Sequence, residues 1–120
     1  TLTKLKSLRI CENFIETEGA TIIVEAFREG PHRLVSELHL DEAGIGPLVP
    51  EGISAIFSLQ VLSLRYNKIK VLATDLCELP RLRTLLVDGN PIQIPQPVIA
   101  RRGFNAIMQF LQAAHRLTPL

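Results

Sequence analysis

No stretch of this 120-residue chain approaches the roughly 18 consecutive apolar residues of a membrane span, so no membrane association is expected. The N-terminus lacks the basic, apolar and small-residue succession of a secretory signal. It also lacks an initiator Met and opens on an internal rhythm, Leu2, Leu5, Leu8, as a piece cut from a longer protein would. Net charge is nearly absent: 13 basic against 12 acidic residues leave a formal +1, which gives no reason to expect nucleic acid as the main partner. Acidic residues stop at Asp88, after which Arg101, Arg102 and Arg116 give the tail a positive balance. Three arginines fall short of a basic run and read as the solvated face of a terminal helix. No glycine-rich phosphate loop occurs, and His32, His39 and His115 are too scattered to converge on a metal.

What the chain does have is an apolar content of 47% arranged with a long period. The spacing L-x-x-L-x-L-x-x-N-x-I occurs at Leu59, Leu62, Leu64, Asn67 and Ile69, and again at Leu82, Leu85, Val87, Asn90 and Ile92. The same template fits Leu5, Leu8, Ile10, Asn13 and Ile15, then Val35, Leu38, Leu40, Ala43 and Ile45. Four units therefore start at residues 5, 35, 59 and 82. Within each, the second and third apolar positions alternate with period two, which in a strand sends both to one side. Stacked parallel strands would bury them in one continuous core. The asparagine leaves the strand, and its amide can donate to and accept from turn backbone in its own and the adjacent unit. Asn13, Asn67 and Asn90 fit this structural ladder. Ala43 does not, so a weak rung, a water or a neighbouring donor is expected there.

The segments returning from each strand differ. In the first unit Ala20, Ile23, Val24 and Phe27 mark an amphipathic helix, with Thr17 placed to cap its start and Gly30-Pro31 to stop it. Later units are shorter and leave room for a short helix or turn at 50–57 and 73–79. Beyond Asn90, Pro91, Pro95 and Pro97 are expected to break any regular element. Phe104, Ile107, Met108 and Leu111 then form the apolar stripe of a helix from about Arg102 to Arg116, suited to cover the last open core. Nothing comparable precedes Leu5, a second sign of an array cut at its N-terminal side. The expected organisation is four repeats over 1–93 and a C-terminal capping segment over 94–120.

The register places Cys11 just after a strand and Cys77 in a return segment, on opposite sides and too far apart for a disulfide. Free thiols favour a reducing, cytoplasmic setting. Cys11 and His39 fall in adjacent units and could approach as a thiol with an imidazole, but no oxyanion device or orienting third group comes with them. Asp88-Gly89-Asn90-Pro91 is turn chemistry rather than a calcium loop. No enzyme activity, cofactor or metal is expected.

Over residues 2–116 these motifs resemble the leucine-rich repeat superfamily. The first unit, LKSLRICENFIETEGATIIVEAF, is similar to the long repeats of ribonuclease inhibitor and the Ran GTPase-activating protein. The end, GNPIQIPQPVIARRGFNAIMQFL, is similar to the terminal unit of intracellular Ras-associated repeat scaffolds and Roco-type proteins, through Asn90-Pro91, Pro95 and Gly103-x-x-Ala106-Ile107. The resemblance implies an α/β solenoid with a curved parallel sheet on its concave side, helices and turns on its convex side, and a C-terminal cap helix. It also implies protein binding inside the cell and no chemistry of the domain's own.

Residues between the buried leucines should face outward from the sheet. These are Ser7, Arg9, Cys11 and Glu12; then Glu37, His39, Asp41 and Glu42; then Val61, Ser63, Arg65 and Tyr66; then Thr84, Leu86, Asp88 and Gly89. Among them Arg9, Glu12, Glu37, His39, Asp41, Glu42, Ser63, Arg65, Tyr66, Leu86 and Asp88 are expected to meet a protein partner, with an acidic centre between Arg9 and Arg65. Arginine and tyrosine are enriched among interface anchors. The function expected is an interaction scaffold. The alternative is the repeat region of a larger signalling regulator, GTPase-linked or phosphatase-targeting, whose activity lies outside the chain. The open N-terminal edge could also stack on further repeats or on a second copy.

Overall fold

Four three-residue strands carry the architecture: β1 (Ser7–Arg9), β2 (Glu37–His39), β3 (Val61–Ser63) and β4 (Thr84–Leu86). They come from a computed structural model that describes residues 7–10, 15–29 and 35–117. All neighbours pair in parallel, in the order β1-β2-β3-β4. Leu8, Leu38, Leu62 and Leu85 align across the sheet, as do Arg9, His39, Ser63 and Leu86. Because successive side chains in a strand point to opposite faces, the leucine row turns inward. Leu38 and Leu62 are fully buried there, next to Leu40, Leu64, Ile45 and Ile69.

Between strands the chain runs back along the far side of this core. Leu48, Val71 and Ile94 form a second, minimal parallel ladder of single-residue bridges. Two 3-10 turns follow it, Ile53–Ala55 and Thr74–Glu78, each inserting one buried residue, Ile53 and Leu76. In the first return the longer spacing is filled by α1 (Glu16–Glu29), whose Ala20, Val24 and Phe27 are buried and whose Ile23 is partly buried against the core. The chain thus has an α/β fold on a four-stranded parallel sheet.

Two local expectations need correction. Thr17 does not cap α1: it lies inside the helix, and its hydroxyl donates to the Gly46 carbonyl and accepts from the Gly46 N–H, both at 3.0 Å. Nor do the prolines suppress all regular structure after Asn90. Pro97 opens the short α2 (Pro97–Ala100), since at the first helical position a missing N–H costs no hydrogen bond. The final helix, α3 (Phe104–Leu117), starts after Gly103 and packs on the Thr74–Glu78 turn with Ile107 and Leu111 buried.

Among the described residues two asparagine amides link neighbouring turns. Asn67 Oδ1 accepts from the N–H groups of Ala43 at 2.9 Å and Ile45 at 3.1 Å. Its Nδ2 donates to the carbonyls of Leu40 at 2.9 Å and Leu64 at 3.0 Å. Asn90 repeats the pattern one unit on, accepting from Asn67 and Ile69 and donating to Leu64 and Val87. At the rung where Ala43 stands, other groups link the neighbouring turns. Glu16 N–H donates to the Ala43 carbonyl at 2.9 Å, and the Thr17 hydroxyl holds Gly46.

Candidate functional site

The sheet face opposite the core, with the turn that leaves each strand, brings most of the anticipated residues together. Parallel pairing sets them in rows: Ser7, Glu37, Val61 and Thr84 first, then Arg9, His39, Ser63 and Leu86. The following turns present Asp41, Arg65 and Asp88, and then Glu42, Tyr66 and Gly89. Cys11, Glu12, Asn13 and His32 lie outside the described residues, and with Cys11 goes the thiol–imidazole pair.

The rows are not uniformly available. His39 and Ser63 were expected on the open face, yet they are 7% and 1% exposed. His39 Nε2 lies 3.2 Å from Glu37 Oε1, two residues back on the same face. Ser63, the shortest side chain in its row, sits between His39 and Leu86 and donates to Asp41 Oδ1 at 2.6 Å. The same Asp41 oxygen accepts the Arg65 N–H at 2.9 Å. Strict alternation predicts direction but not cover, and a small side chain between larger neighbours disappears. Asp41 thereby ties the turn after β2 to the turn after β3.

Arg65, Tyr66 and Glu42 remain open to a partner. Arg65 is partly exposed, with Nε 3.5 Å from Asp88 Oδ2. That Nε is the one buried side-chain nitrogen or oxygen without a hydrogen bond among the described residues. Tyr66 is 60% exposed, and its ring lies over Gly89, where a Cβ would overlap Tyr66 Cδ1. Glu42, Gly44, Tyr66, Asn67 and Lys68 surround an open depression of about 440 Å3. Gly44 and Lys68 were not anticipated, because they flank the ladder position, where strand alternation has ended.

The backbone adds a feature that the side chains do not announce. Glu42, Tyr66 and Gly89 occupy equivalent positions and all have left-handed backbone, with φ of 53°, 56° and 74°. Glycine takes this conformation freely, whereas other L-residues pay roughly 1–2 kcal/mol. The clue in the sequence was Gly89 itself, aligned with Tyr66 and Glu42.

The remaining titratable groups lie elsewhere. Cys77, partly buried in the Thr74–Glu78 turn, has its thiol pKa pushed up by burial first and then by the nearby charges of Glu78 and Asp75. His115 of α3 reaches the same turn, with Nε2 3.6 Å from Glu78 Oε1. Among the described residues no three His, Cys, Asp or Glu side chains are grouped to hold a metal, and no helix is long and apolar enough to cross a membrane.

Comparison with known sequences agrees with this geometry. Residues 33–92 match the profile of the family described as leucine rich repeat. Over 70 residues, 58% of the chain, the sequence is 31% identical to the plant intracellular Ras-group-related LRR protein 4 of Oryza sativa subsp. japonica. The match spans only 12% of that protein's length.

Proposed function

Because the chain belongs to the leucine-rich repeat family, we propose that it is a non-enzymatic recognition module which binds a protein partner on the concave face of its sheet. Domains of this family generally serve protein–protein interaction. On this reading residues 1–93 are four units of a solenoid beginning at 5, 35, 59 and 82, and 94–120 close it, with α3 as the cap. The carrying observation is the grouping of exposed Tyr66, exposed Glu42 and the partly exposed Arg65, ion-paired with Asp88, at the exits of adjacent strands. Arg9, Glu37, Leu86 and Asp88 extend this contact surface, while Asp41, Ser63 and His39 support it from beneath. Balanced charge favours a protein over a nucleic acid.

The similarity to an intracellular Ras-group-related protein supports a second reading, in which the module sits in a larger cytoplasmic signalling regulator. The long first unit and the proline-bearing last unit fit that setting by their resemblance to Ran-activating, Ras-associated and Roco-type repeats.

A photo-crosslinking residue at position 66, compared with one at the exposed Ile22 on α1, tests the face. With the captured partner purified, Arg65→Ala and Tyr66→Ala should each weaken binding by about 1–2 kcal/mol without unfolding the domain. Crosslinking at 22 but not 66, with both alanine variants binding normally, would move the site off this face.

A further inference from the structure

Among the described residues, the last strand has one main-chain edge with no strand beside it. β4 is outermost in the sheet, and its bonds to β3 fix which groups turn inward. Leu64 N–H donates to the Leu86 carbonyl and Tyr66 N–H to the Asp88 carbonyl, both at 2.8 Å, while Thr84 N–H donates to the Gln60 carbonyl. Residues 84, 86 and 88 thus face β3. By the alternation of a parallel ladder, the main-chain groups of Leu85 and Val87 face away from it. The Val87 carbonyl accepts Asn90 Nδ2, whereas among the described residues no strand takes up the rest of this edge.

A cleft of about 600 Å3 lies along this edge. Leu85 and Val87 form its sheet side, and Ala100, Phe104 and Ile107 of α2 and α3 form its helix side. The helices bury side chains but cannot complete the ladder, because a helix uses its N–H and C=O groups internally. Val87 N–H stands where Leu64 N–H stands one unit earlier, and Leu64 already shows what such a group takes: a strand carbonyl at 2.8 Å.

Charge distinguishes between occupants. Arg83 and Arg101 line the cleft and are exposed. Asp88, the last acidic residue of the chain, is drawn toward Arg65. A second copy adding its β1 would bring the exposed Arg9 against these arginines, a like-charge encounter. An extended segment with carboxylates matches the rim instead, and apolar side chains at alternate positions would fill the floor.

We propose that the β4 edge and the cleft beneath α2–α3 form a second binding site, which accepts an extended acidic segment of a partner protein as a fifth strand. Main-chain bonds to Leu85 and Val87 hold it, and Arg83 and Arg101 read its carboxylates. The site adjoins the concave face at Leu86 and Asp88 but rests on the strand edge and not on that assignment.

Fluorescence anisotropy with a short labelled peptide alternating valine and glutamate tests the site on the full chain. Saturable binding is expected. It should fall at least about tenfold when glutamates become lysines, when amides at alternate positions are N-methylated, and in the Arg83→Glu, Arg101→Glu double variant. Val87→Pro, which deletes a donor that β3 does not use, should have a similar effect, while Ile22→Ala on the exposed side of α1 should change nothing. Absence of saturable binding, or binding indifferent to N-methylation, overturns the proposal. Self-association in sedimentation that the peptide fails to reverse overturns it too, in favour of a second copy.

Discussion

Replacing Asn67 with alanine strands main-chain groups in two consecutive turns at once. Its Oδ1 is the acceptor for Ala43 N–H and Ile45 N–H, and both residues are wholly buried. Its Nδ2 serves Leu40, whereas the Leu64 carbonyl keeps a second donor in Asn90. Each buried group left unpaired costs about 1–3 kcal/mol, so the two N–H groups alone put the loss near 4 kcal/mol. That is a large share of the roughly 5–15 kcal/mol of a typical domain. Asn90 makes the same kinds of bonds but is partly exposed and lines the open cleft beside β4, where water can replace it. Asn90→Ala should therefore cost about half as much or less, near 1–2 kcal/mol. Urea unfolding followed by circular dichroism separates the two. With a slope near 2 kcal/mol per molar, the Asn67→Ala midpoint should fall by about 2 M at unchanged slope, and the Asn90→Ala midpoint by less than about 1 M. Equal losses below about 1 kcal/mol in both variants would refute the reasoning, since burial would then not govern the cost.

Thr17→Val keeps the shape of the side chain but removes the hydroxyl bound to Gly46, and should cost about 1–2 kcal/mol by the same measurement. Glu42→Gly should relieve left-handed backbone at φ 53° and raise stability by about 0.5–1 kcal/mol. Gly89→Ala should do the reverse and also displace the Tyr66 ring, seen as a changed tyrosine fluorescence. Because burial raises the Cys77 thiol pKa, its thiolate is scarcer at neutral pH than that of an ordinary cysteine. Alkylation of Cys77 in Cys11→Ser protein should be slower than in a free peptide, with its rise displaced to higher pH. Matching pH profiles would contradict the burial argument.

The features legible in the sequence were those set by periodicity. Leu38, Leu62 and Leu85 share a row because period two leaves them no other place, and Asn67 and Asn90 follow at a fixed offset. That the first return segment is helical followed from its apolar stripe, Ala20, Ile23, Val24 and Phe27. Burial on the opposite face was not legible, because it depends on neighbours from other strands: Ser63 is covered by its row and by Asp41, which no local pattern reveals. Glu42 and Tyr66 gave no local sign of left-handed backbone either, since neither residue type favours it. Thr17 sits where a cap is expected, but its hydroxyl binds Gly46, a partner 29 residues away.

The asparagine bonds also have a direction. Asn67 belongs to one turn yet holds the N–H groups of the turn before it, and Asn90 does the same for Asn67 and Ile69. In these amide contacts each unit leans on its successor. Deletion from the C-terminal side would strip the asparagine rung from the new last turn, while deletion from the N-terminal side would strip acceptors of another kind, such as the Ser36 and Ile45 carbonyls that take the Val61 and Lys68 N–H groups and the Asp41 carboxylate that takes the Arg65 N–H. The two ends are therefore unlike in kind: a C-terminal cut removes a side-chain rung, and an N-terminal cut removes main-chain and carboxylate acceptors. Any longer array of this kind has a C-terminal end that must supply its own substitute, as Ile92 does here by turning its N–H back to the Asn90 carbonyl at 2.9 Å.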